Sequence, residues 1–181
     1  MQEKRHIYII QMHTGTIPAK LVRNFTRYEY SHVAICLNKD CSTLYSFGRR
    51  SLNNVLNGGF VSQKRTDEFF KKFKNTKCRI YEICVTEEQY NCLSSILQDM
   101  KQHEKKYKYD FVGILPRTIG LPITFKNKYV CSYFVADILE KSKIYSFNKR
   151  TCFATPKDFE NMDGAKLIYV GSYDEYTACD K

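Results

Sequence analysis

Phe134, Val135, Ile138 and Leu139 recur at the spacing of one buried helix face, which predicts a helix opening close to Cys131. A second stripe of the same period, Tyr90, Leu93, Ile96, Leu97 and Met100, follows Thr86-Glu87-Glu88-Gln89. That tetrapeptide reads as a capping box, in which the Thr hydroxyl and the Gln side chain each satisfy a free backbone donor at a helix start. Glu88, Asn91, Gln98, Asp99 and Lys101 fall outside the stripe and are left to water. Leu21, Val22 and Phe25 predict a shorter helix over 19–26, with Pro18 suited to its first turn.

Elsewhere the pattern is that of strands. Short runs rich in β-branched and aromatic residues cover 6–11, 32–37, 43–48, 78–85 and 166–171, with a further candidate at Phe60-Val61. Asn38-Lys39-Asp40 supplies a turn between the second and third runs, making a β-hairpin whose first arm opens on His32. Residues 49–59 read as a surface loop broken by Asn53-Asn54 and Gly58-Gly59. The stretch 107–128 reads as loop because Gly113, Pro116, Gly120 and Pro122 punctuate it, although Tyr107-Lys108-Tyr109-Asp110-Phe111 is aromatic for a connector. Thr155-Pro156-Lys157-Asp158-Phe159 reads as a short helical turn. Strands followed by separate helices predict an α+β fold, and 181 residues suit one domain over 1–181.

Composition narrows the classes. A 43% hydrophobic and 14% aromatic chain without low-complexity runs is expected to fold as an ordinary globular protein. The apolar run 7–10 is too short for a signal-peptide core or a membrane span, so neither export signal nor transmembrane segment is expected and a cytoplasmic location is. The eight cysteines form no Cys-x-x-Cys pair, which predicts reduced thiols rather than a zinc site or a disulfide framework. The formal net charge of +10 raises a basic nucleic-acid-binding reading. That partner is not favoured, since no helix-turn-helix, zinc-finger or RNA-recognition pattern accompanies the lysines.

Chemistry concentrates on Cys131. A thiol in the first turn of a helix gains from the unpaired N–H groups there, and with a histidine its pKa falls from about 8.5 to roughly 3.5–7.5. Alone, such a cysteine is more often a small core residue. Of the four histidines, His6 lies in the chain start, His103 in a charged helix end and His13 after the first strand. His32 opens an otherwise apolar strand, where a titratable side chain calls for a reason, the alternative being an edge-strand ring in water.

These residues resemble a known family. Tyr30-Ser31-His32-Val33-Ala34-Ile35, Leu44-Tyr45-Ser46-Phe47-Gly48 and Lys128-Tyr129-Val130-Cys131-Ser132-Tyr133-Phe134-Val135-Ala136 look like the circularly permuted NlpC/P60 group of papain-like cysteine hydrolases, which includes YiiX-like proteins. Thr14-Gly15-Thr16, the Tyr109 segment, 155–159 and Tyr169-Val170-Gly171 look like further landmarks. The resemblance implies a papain-like fold with an antiparallel sheet packed against the cysteine helix, and the histidine before the cysteine in sequence. It implies a thiol hydrolase or acyltransferase acting on a peptide-like amide or an ester, with Cys131 as nucleophile, His32 as base and no metal or cofactor. Its third residue, a polar side chain on the strand after the histidine, is usually His, Asn, Gln or Glu; here only hydroxyls are available, and alternation selects Ser46 by turning Tyr45 and Phe47 away together. Tyr45 and Tyr109 are the candidate substrate-pocket walls. A non-catalytic papain-like binding module is the rival expectation, and the oligomeric state is left open.

Overall fold

A computed structural model describes residues 4–13, 28–51, 54 and 56–178. Its centre is a six-stranded antiparallel sheet in the order β4-β3-β2-β1-β5-β8. The strands are β1 (Arg5–His13), β2 (His32–Cys36), β3 (Thr43–Arg49), β4 (Gly58–Lys64), β5 (Lys77–Val85) and β8 (Ala165–Ser172). The class is therefore α+β, as the pattern predicts. The central β1 is buried from Ile7 to Met12 on successive residues, because both faces of the sheet are covered. The helix expected over 19–26 lies outside the described residues.

One face is packed by the helices α2 (Glu87–Gln102) and α4 (Cys131–Lys141) over a core of Ile7, Ile9, Val33, Ile35, Phe47 and Phe60. Phe134, Val135, Ile138 and Leu139 of α4 are fully or almost fully buried there. The capping box of α2 is formed: Gln89 N–H donates to the Thr86 hydroxyl at 3.2 Å, and Thr86 N–H to the Gln89 side chain at 3.0 Å. The other face holds Tyr8, Ile10, Met12, Ala34 and Leu44 under the short α1 (Glu68–Lys72), through Phe70, and under Tyr173 and Tyr176.

Two segments differ from the sequence pattern. Gly58-Gly59 starts β4 rather than breaking a loop, pairing with Arg49 and Gly48. The physical reason is close approach: a Cβ on Gly58 would lie 2.8 Å from Tyr109 Cβ, and one on Gly59 would overlap the Tyr107 carbonyl. The stretch 107–128 is not plain loop. Lys108–Tyr109 (β6) and Lys128–Tyr129 (β7) pair in parallel, and the helix α3 (Phe111–Thr118) stands between them. Gly113 does not break α3, because its missing Cβ leaves room for the Asp110 carboxylate and the Arg117 guanidinium. Among the described residues no helix is long and apolar enough to cross a membrane.

Candidate active site at the start of α4

Lys128–Tyr129 delivers the chain in an extended conformation to Val130, which caps α4 without a side-chain hydrogen bond. The first-turn donors are thus left for other partners. The Ser132 hydroxyl donates to the Ala154 carbonyl at 2.5 Å and ties this turn down. Cys131 is buried, and burial is the largest influence on its thiol, raising the pKa above the ordinary value. Against burial acts the polarity of three backbone N–H groups near the sulfur, those of Val33, Ser132 and Cys131 itself, which pull the pKa down.

The Val33 N–H is available because β2 and β3 part early. Their register is fixed at Ile35 opposite Tyr45. Continuing that register outward brings Gly48 opposite His32. The Cε1 atom of His32 lies 3.7 Å from where a Gly48 Cβ would stand, with Val61 Cγ2 at 3.7 Å and Ser46 Oγ at 3.8 Å from the same point. His32 keeps part of its surface accessible, yet its ring is surrounded deeply enough that burial lowers its pKa from 6.5 to about 4. At neutral pH the imidazole is uncharged and free to accept a proton.

The structure brings His32 and Ser46 together beside Gly48, on the side of the sheet that Ala34 and Leu44 share, while Cys131 opens α4 on the other side. Among the described residues no hydrogen bond joins Cys131 to His32, or His32 to Ser46. Along β2, Val33 and Ile35 face the α4 core while Ala34 and Cys36 face the other side. Ser46 is buried on β3 between Tyr45 and Phe47, which both pack toward α4. Tyr45 stacks on Phe60 with ring centroids 6.3 Å apart, as a member of the core. Tyr109 stands nearer the chemistry: burial is the main reason its phenol pKa is raised, and a charge on Cys131 is the next.

A pair that the sequence reading did not single out supports Tyr109. Asp110 is fully buried, accepts from Gly113 N–H at 2.9 Å and binds Arg117 Nη1 at 2.8 Å. Arg117 also donates to the Ile123 carbonyl at 3.2 Å, closing the segment on itself. A cavity of 730 Å³ runs along the edge strand β4, lined by Arg49, Arg50, Val61 and Glu104 among others. It approaches the His32 side through Val61, and Cys131 does not line it. The cysteines among the described residues are free thiols, and no cluster of three or more metal-ligating side chains occurs among those residues. No protein-family model matches the chain, and no curated protein or solved structure matches it.

Proposed function

We propose that the chain is a thiol hydrolase or acyltransferase that opens an amide or ester bond through Cys131, with His32 as the proton acceptor. The supporting observation is a buried thiol in the first turn of a helix, where backbone N–H groups of Cys131, Ser132 and the neighbouring strand residue Val33 favour its ionised form against burial. The same donors suit a thiolate, and the Cys131 N–H suits the oxyanion that follows attack. The resemblance to circularly permuted NlpC/P60 proteins, with a papain-like arrangement of sheet and cysteine helix, belongs to this reading.

In the proposed reaction the sulfur attacks the carbonyl carbon as the thiol proton passes to His32. The oxyanion collapses, the leaving amine or alcohol takes that proton, and water or another acceptor then cleaves the thioester. Burial keeps the thiol protonated and the imidazole neutral, so proton transfer accompanies attack instead of preceding it. The ring must close on the sulfur when substrate binds, as catalytic hydrogen bonds often tighten only in the complex. Ser46 is the candidate to hold the ring; a hydroxyl does this more weakly than a carboxylate.

A second reading, a non-catalytic papain-like binding module, is favoured by an imidazole with no hydrogen-bond partner among the described residues and by Gly48, which has no polar side chain, in the position opposite it. Acylation by an activated acyl ester, followed by peptide mass mapping, separates the two. An active site acylates Cys131 faster than the exposed Cys84 and Cys92, and His32→Ala slows Cys131 alone. If Cys131 reacts more slowly than both and ignores the His32 substitution, the binding-module reading stands instead.

A further inference from the structure

Helix α3 is built inside out. Its ion pair, Asp110 with Arg117, is buried, while eight of the large apolar side chains exposed among the described residues fall between Phe111 and Phe125. Val112, Leu115 and Ile119 are the most open, at 66%, 71% and 72%. Single exposed apolar residues are ordinary, but so many in one short segment mark an interaction surface. The buried clasp matters because it holds the backbone in place without help from those side chains.

The rim of this segment is predominantly basic. Lys105, Lys106, Lys108 and Lys126 are exposed at its base, and the Lys128 ammonium lies 5.1 Å from the Phe125 ring. Of the carboxylates between residues 104 and 128, Asp110 is consumed by Arg117, leaving Glu104. A protein interface ordinarily carries a polar rim able to form matched hydrogen bonds. An apolar apex with a collar of lysines instead matches the layered chemistry of an anionic bilayer, hydrocarbon above and phosphate at the level of the amines.

We propose that residues 111–125 dock onto an anionic lipid surface, inserting the apolar side chains of α3 and the following turn while the lysine collar meets the headgroups. Docking does not depend on Cys131 being a nucleophile. Where that reading also holds, the stack of Phe111 on Tyr109, centroids 4.7 Å apart, links the docked face to a phenol that senses charge on Cys131, and a lipid ester is the substrate class that fits.

The chain contains no tryptophan, so Leu115→Trp creates a single reporter at the apex. Mixed with phosphatidylcholine vesicles containing phosphatidylglycerol, this protein is expected to show a blue-shifted emission, and the unsubstituted chain to sediment with the vesicles. Added salt should weaken both effects, and pure phosphatidylcholine should bind less. Leu115→Glu with Ile119→Glu should cut binding by roughly tenfold or more, with the circular dichroism melting curve unchanged as a check on folding. Cys131→Ala should bind like the unsubstituted chain, which keeps failure of docking distinct from failure of catalysis. The proposal is overturned if vesicles are not bound, or if the double substitution leaves binding intact. It is equally overturned if the unsubstituted chain forms a dimer that the double substitution dissolves while vesicles remain unbound, since a second copy would then be the occupant.

Discussion

Helices α3 and α4 are consecutive in the chain, both carry apolar stripes, and they treat those stripes oppositely. The apolar side chains of α4 are buried against β2 and β3, whereas those of α3 face out and its charged pair faces in. Hydropathy period therefore reports that a helix has an apolar face; what lies opposite decides whether that face is filled. For α4 it is the sheet. For α3, among the described residues, it is open surface, and the helix is held by polar contacts instead.

This contrast predicts different breaking points. Removing Asp110 strands the Arg117 guanidinium in a buried site with its charge uncompensated, a loss of about 3–5 kcal/mol in comparable cases. Asp110→Ala should therefore lower the urea midpoint as severely as emptying the core of α4. The reference for that core is Phe134→Ala, which leaves a cavity among Phe47, Phe60 and Tyr129 at a cost of about 3–5 kcal/mol. An Asp110→Ala protein as stable as the parent would show that α3 rests on its apolar contacts, and the contrast would collapse.

How much of this could be read from the sequence depends on whether the deciding partner was near in the chain. The capping box of α2 and the buried face of α4 were legible because their patterns are local. Gly58 and Gly113 misled for one reason: each lacks a side chain to admit a group from elsewhere, Tyr109 in one case and the Asp110–Arg117 pair in the other. From the sequence they look like breakers. At the site, Cys131 at a helix start was legible, but the Val33 N–H that reaches its sulfur comes from a distant strand and depends on where β2 and β3 part. The alternation of Ser46 against Tyr45 and Phe47 was legible, while the position opposite the ring, Gly48, needed the pairing register.

His32 adds a titratable test to the comparison. Its folded pKa of about 4 lies below the unfolded 6.5, so between these values the unfolded chain binds more protons and stability rises with pH. The contribution is full above about 6.5 and is lost as pH falls toward 4, amounting to at most about 3 kcal/mol. Denaturation midpoints compared across that window should show a shallower slope for His32→Gln than for the parent chain. Equal slopes would mean that the ring is not desolvated, and that the imidazole is not kept neutral at mildly acidic pH.

The smallest expected effect is the most discriminating for α3. Leu115 is mostly exposed and lies in a segment whose backbone is fixed by the Asp110–Arg117 clasp. Replacing it with Ser removes apolar surface that already touches water, so folding stability should change by no more than about 0.5 kcal/mol. A fully buried leucine of α4, Leu139, should cost about 2–5 kcal/mol when truncated to Ala. If Leu115→Ser in the isolated protein is as damaging as Leu139→Ala, then Leu115 is buried in solution against something, and a second copy of the chain is the first candidate. If the change is near neutral, the apolar face of α3 contributes nothing to folding in water, and its presence calls for the partner proposed above.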